Sequence, residues 1–296
     1  MAVTQSSLRN RITRLVYSSR PALRPYTDKI RTNAHNIGDT TLDVSDGTSW
    51  AADDLVEFED GEIASVTSVA SNVLTVVRAQ WGTTESNHAV GTGLTKNPRF
   101  SIQEIDDAIE TVIYDLYPQL YVLSTISFGT VIAGKYWYPI STANVYDVVG
   151  VFHEDVGSLI PRPIMGWTYR QGLDATEFTN VAGLVFPGYS GATVGTAMYI
   201  IVKKKITAAT DLLDRQEPLV AIGAAYHLLG GETVSRSHDP GQRTDRTVQP
   251  GQDSRDSIWF LREYRAALTK EEIRLRQDME WIPSNRVQSR RRRFRG

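Results

Sequence analysis

Five histidines, at positions 35, 88, 153, 227 and 238, are the first residues to search for a metal site or a general base. No two have the spacing of a metal-binding pair. His153-Glu154-Asp155 is the one local cluster with ligand-type side chains, and its setting between β-rich runs predicts the top of a turn. His227 lies in an apolar helical pattern and reads as a hydrogen-bonded core residue. Gly188-Tyr189-Ser190-Gly191-Ala192 begins like a nucleophile elbow, but alanine stands at the second glycine and the segment falls between β runs. The acidic pairs Asp106-Asp107 and Glu271-Glu272 read as solvated helix faces. The phosphate-binding loop, the dinucleotide fingerprint and the HExxH motif are absent, and so is cysteine. The expectation is a protein without catalytic residues, cofactor or metal, not an enzyme. A glycan hydrolase with paired carboxylates on a β domain is the nearest enzymatic alternative, and no motif marks one.

Charge is placed unevenly. Arg286, Arg290, Arg291, Arg292, Arg293 and Arg295 fall in the last eleven residues with no acid among them, while the whole chain carries a net charge of −2. The body is therefore acidic and residues 284–296 form a basic tail. Such a tail can be a solvated end, a salt-sensitive contact to nucleic acid phosphates, or a segment ordering on an acidic protein surface through bidentate guanidinium pairs. Phe294, set among the arginines, suits an anchor in a groove. Composition leaves the three open.

The elements around these residues are legible as patterns. Ser101 to Tyr117 places Ile102, Ile105, Ile109, Val112, Ile113 and Leu116 on one helical face, opens with a Ser101/Glu104 capping box and stops at Pro118. Further helices are expected near 5–18, 216–229 and 254–280. The helix over 216–229 is expected to end at Gly230-Gly231. The last is expected to carry Ile258, Leu261, Arg265 and Leu268 along one face and to reach roughly 35–40 Å at 1.5 Å per residue. Residues 20–38 read as a crossing loop, and 231–252 as an exposed loop. Between residues 40 and 96, short β-rich runs are punctuated by Asp46-Gly47, Asp60-Gly61 and Ser71-Asn72, predicting a barrel or sandwich of about five strands with a two-residue turn at Asp60-Gly61. A second β-sandwich is expected over 121–207. The fold class expected is α+β: a helical bundle core, from 1–39, 97–120 and 208–283, interrupted by two all-β domains. The longest apolar runs are too short to cross a bilayer and the first residues lack a signal-peptide core, so synthesis in the cytoplasm is expected.

Residues 74–91, LTVVRAQWGTTESNHAVG, carry the most specific signal. The pattern Leu74, Val76, Arg78, then Gly82-Thr83, then His88 and Gly91 resembles a β module of structural proteins of tailed bacteriophages. The preceding stretch, residues 43–69, resembles the rest of that module, with its Gly61-Glu62 step. Ala79 departs from the pattern, where glycine is common. The residues themselves read as structural: the glycines permit tight turns, and Arg78 and His88 tie the loop back to the sheet. The layout of the whole chain is similar to the head-to-tail adaptor (connector) family of the same phages. That resemblance implies a homo-oligomeric ring, usually twelve-fold, beneath the portal protein. It would form a platform for the next neck or tail-terminator protein and line the channel through which DNA passes. It also implies a place in the virion neck after assembly in the host cytoplasm, with no membrane contact. On this reading Arg286, Arg290 to Arg293, Phe294 and Arg295 bind the portal. The alternatives are another phage tail, baseplate or decoration protein, and a nucleic-acid-binding protein acting through the arginine-rich tail.

Overall fold

The computed structural model describes residues 3–18, 24–142, 144–154, 161–172, 182–186, 194–238 and 252–280. The chain divides into two compact units, with two of the three cuts falling inside helices. The first unit takes residues 1–113 and 213–266, the second 114–212 and the remainder.

The first unit is organised around a six-stranded antiparallel sheet. Its strands are β1 (Thr27–Lys29), β2 (Thr41–Asp43), β3 (Leu55–Phe58), β4 (Ile63–Ala70), β5 (Val73–Val77) and β6 (Gly93–Lys96), in the order β1-β6-β3-β4-β5-β2. The sheet curls until its two ends meet at a bridge between Ile30 and Val44, where Arg31 N–H donates to Asp43 O at 2.9 Å. This partly closed barrel hides its edges and holds an eleven-residue apolar cluster, including Leu42, Trp50, Phe58 and Leu74. Period-two alternation delivers those side chains inward from each strand. The strand β1 comes from the segment expected to be a crossing loop. The β3–β4 turn is also longer than expected. Phe58 N–H donates to Glu62 O at 2.9 Å, so Glu59, Asp60 and Gly61 all lie in the loop.

Helices α1 (Gln5–Ser18) and α2 (Ile102–Asp115) flank the barrel in sequence, and α3 (Glu217–His238) and α4 (Gln252–Glu280) come late. The α2 capping box is present: Glu104 N–H donates to Ser101 Oγ at 3.1 Å, and Ser101 N–H to Glu104 Oε2 at 2.7 Å. A second carboxylate serves the same helix start, because Glu57 of β3 accepts the Ile102 N–H at 2.6 Å. Asp106 is not the solvated acid it resembles. Arg9 of α1 grips it with two bonds of 2.7 and 2.5 Å, and Gln5 adds a third at 2.9 Å. α1 packs along α3.

The second unit holds two further sheets. One has four strands, β7 (Val122–Thr130), β9 (Val145–His153), β10 (Arg162–Pro163) and β13 (Ala197–Lys204), ordered β10-β9-β13-β7. The other has three, β8 (Trp137–Pro139), β11 (Thr168–Arg170) and β12 (Gly183–Val185), ordered β11-β12-β8. Tyr138 and Leu184 of the smaller sheet share an eleven-residue cluster with Val151, Met198, Ile200 and Val202 of the larger. On the opposite face of the larger sheet, Phe152 and Ile201 pack with Leu123, Val149 and Met279 of α4.

The molecule is α+β, but the expected helical-bundle core is not supported. Four helices accompany three sheets among the described residues, and the two eleven-residue clusters are built by strands and their connections. Helical periodicity locates helices well. It says nothing about how much apolar surface short strands contribute elsewhere. Two local expectations also change. α3 runs through Gly230 and on to His238, since glycine costs a helix only about 1 kcal/mol and does not break it. The inward face of α4 carries Ser257, Phe260, Glu271 and Leu275, while Ile258 and Arg265 are exposed, one position round from the face expected.

Candidate functional site

The residues with chemical potential converge at one end of the barrel. β5 ends at Val77, which leaves Arg78 pointing back under the sheet, and the β3–β4 loop brings Glu62 to meet it. Arg78 Nε and Nη2 donate to the two oxygens of Glu62 at 2.7 and 2.6 Å, a bidentate pair whose side chains are 2 % and 1 % exposed. Two further guanidinium protons go to backbone carbonyls: Nη1 donates to Asn36 O at 2.5 Å and Nη2 to Ser86 O at 2.5 Å. Glu62 Oε2 also takes the Ser86 N–H at 2.9 Å and lies 2.8 Å from His88 Nε2, so that nitrogen carries a proton in this contact. The Ser86 hydroxyl completes the ring by donating to Asp60.

Aromatic packing closes the cluster from below. The His88 ring stacks on Phe58 at 3.9 Å between centroids, with the planes 4° apart. The backbones of His35 and His88 exchange N–H···O bonds of 2.9 and 2.8 Å, which binds the 31–40 loop to the 79–92 loop. His35 Nδ1 meets Thr41 O at 3.1 Å, while its buried Nε2 has no hydrogen-bond partner. Burial and the nearby Arg78 charge hold His35 below its ordinary pKa. Burial alone would push Glu62 up. The bonds from Arg78, the Ser86 amide and His88 outweigh it and bring the carboxyl down to about 2.

The loop that follows Arg78 is held in unusual backbone. Gly82 and Gly91 have φ of +79° and +90°, where glycine is at ease. Ala79 and Trp81 also lie in the left-handed region, at φ of +51° and +55°. Trp81 is 67 % exposed. Thr83 Oγ1 accepts the Ile63 N–H at 3.2 Å and donates to Gln80 O at 2.8 Å, anchoring the loop on β4. Beside it opens a shallow cleft of about 370 Å³, lined by Asp60, Gly61, Glu62, Gly82 to Thr84 and the start of α2.

Of the five module residues, Arg78 and His88 bond Glu62 directly, while Gly82, Thr83 and Gly91 shape the loop around them; sequence reasoning had Glu62 only in the Gly61-Glu62 step of the module, without a pairing role. The signal was present: a glutamate directly after a turn glycine, ahead of an arginine on the next strand. Chemically, the Arg78, Glu62, Ser86 and His88 side chains spend most of their hydrogen-bonding capacity on one another and on nearby carbonyls. The cluster is a clasp joining three loops.

The remaining candidates are dispersed. His153 is buried at the end of β9, and Glu154 accepts from Tyr199 Oη at 3.1 Å; Asp155 lies outside the described residues. Among the described residues, no group of three or more His, Asp or Glu could hold a metal ion. His227 is half-buried on α3, its ring 5.1 Å from that of Tyr226. Glu271 is buried and paired with Arg274, again not a solvated acid. The 188–192 segment and the tail residues Arg286, Arg290 to Arg293, Phe294 and Arg295 lie outside the described residues. No helix among the described residues is long and apolar enough to cross a membrane.

No protein-family model matches the chain, and no curated protein matches it.

Proposed function

We propose that this chain is a structural protein of a tailed-bacteriophage virion, a head-to-tail adaptor that docks beneath the portal and receives the next neck protein. The observation that carries the reading is the clasp. The residues on which the resemblance to the phage β module rests, Arg78, Gly82, Thr83, His88 and Gly91, are the ones that build and shape it around Glu62. A module kept together by a buried bidentate ion pair and its hydrogen bonds suits a load-bearing protein better than a catalyst. The 29-residue α4, some 43 Å long at 1.5 Å per residue, leads in sequence toward the arginine-rich tail, which supplies a portal-binding segment. Copies would form a cyclic ring, twelve-fold as is usual in that family, with heterologous contacts. The acidic body would keep passing DNA from adhering to the channel wall. The working location is then the virion neck.

The test mixes purified protein with its cognate portal and images the product by negative stain, beside a version ending at Pro283. A ring capping the portal with the full chain, lost on truncation, is the expected result. Failure of both forms to bind sinks the adaptor reading and favours a tail or surface component. DNA binding that weakens steeply with salt and vanishes on truncation, without portal binding, favours the nucleic-acid reading instead.

A further inference from the structure

The strand β7 is an edge strand without the usual defences. It runs for nine residues, VLSTISFGT, and hydrogen-bonds to β13 alone. Its outward-facing amides and carbonyls have no other partner among the described residues. Each of its faces nevertheless contributes one apolar side chain to a packed cluster, while Thr125 and Ser127 stay exposed. Ile126 packs into the cluster shared with the smaller sheet, and Leu123 packs on the other side with Phe152, Ile201 and Met279. Edge strands normally avoid self-association by being short, by carrying proline or charge, or by being covered. The other free edges of this unit follow that rule: β10 is Arg162-Pro163, β8 has three residues and ends in Pro139, and β11 has three and ends in Arg170. The barrel hides its edges by meeting at Ile30 and Val44. Only β7, among the described strands, is long, uncharged and open.

We infer that β7 is a docking edge, and that its occupant in the free protein is β7 of a second copy, paired antiparallel about a two-fold axis near Thr125. No other described edge offers a strand of comparable length. The sequence is also self-complementary: pairing about Thr125 sets Leu123 opposite Ser127 and Thr125 opposite itself. No like charges meet at the axis, and side chains on each face of one sheet continue onto the same face of the other. Two four-stranded sheets become one of eight, and the exposed hydroxyls of Thr125 and Ser127 lie at the seam. Such an isologous contact differs from the heterologous contacts of a ring, so it describes the chain before assembly and stands apart from the adaptor reading.

The experiment uses the full chain, whose mass is 33.0 kDa and which has no cysteine. Sedimentation of wild type over a concentration series should show a dimer of twice that mass, and Thr125→Lys, which sets two ammonium groups against each other, should show the monomer. Circular dichroism and the melting temperature report whether the variant still folds. Independently, Thr125→Cys should form a disulfide-linked dimer on mild oxidation, while Thr67→Cys, at an exposed position of β4, should not. A wild-type monomer at every concentration overturns the inference. So does an oligomer that survives Thr125→Lys, or a Thr125→Cys chain that crosslinks no better than Thr67→Cys. None of these outcomes depends on portal binding.

Discussion

Ala79 stands at φ +51°, ψ +41°, the position where the resembling phage module commonly has glycine. A left-handed conformation costs an L-residue about 1–2 kcal/mol, and glycine gives back part of that through the entropy it loses on folding. Ala79→Gly should therefore stabilise the protein by about 1 kcal/mol in urea unfolding, with no change in oligomeric state. Two buried glutamates set opposite pH dependences. Burial, helped by Glu104, raises Glu57 to about 7 against its ordinary 4.5, despite the Ile102 N–H and Arg9. A group whose folded pKa is raised contributes stability that is complete below 4.5 and lost as pH climbs through 7. The ceiling is about 3 kcal/mol at 1.36 kcal/mol per pKa unit. Glu57→Gln keeps an acceptor for the Ile102 amide and should abolish that decline, measured as unfolding free energy between pH 4.5 and 8. Glu62 works in the other direction: its contribution is present above 4.5 and disappears as pH falls toward 2.

At the scale of elements, Gly223 and Gly230 of α3 have different meanings. A Cβ on Gly223 would lie 2.9 Å from Val112 Cγ1 and 2.9 Å from the Tyr264 ring, so this glycine lets three helices approach. At Gly230 the nearest atom, Ser257 Oγ, is 3.4 Å away, which is ordinary contact. Alanine gains about 1 kcal/mol in helix propensity at either site, but overpacking costs about 1–3 kcal/mol where no room exists. Gly223→Ala should lower the melting temperature and Gly230→Ala should leave it unchanged or raise it. The sequence made α2 readable because its apolar spacing, capping box and terminal proline all agree. It hid the end of α3, since a glycine pair looks like a stop whether it serves packing or termination. The face of α4 was misjudged for a related reason: Ser257 and Glu271 are polar yet inward, and Ile258 is apolar yet exposed.

For the whole molecule, local signals carried further than global ones. Turn dipeptides and alternation marked most barrel strands. β1 stayed invisible because three residues, Thr27-Asp28-Lys29, carry no apolar period of their own and become a strand only by pairing with β6. The clasp was half legible, in Arg78 and His88 but not in Glu62, since a pairing partner sixteen residues away leaves no periodic trace. The buried face of α2 was legible in its spacing, but not that strands rather than a helical bundle build the two eleven-residue clusters, because that depends on which surfaces meet. One consequence of that assembly concerns time. The barrel is complete within one stretch of chain, whereas α1 packs on α3, which begins about 200 residues later, roughly 10–40 s of synthesis at ~5–20 residues per second. Through that interval Leu8, Ile12 and Val16 have no α3 to cover them on the ribosome, and the newborn helix is a natural stopping place for a chaperone.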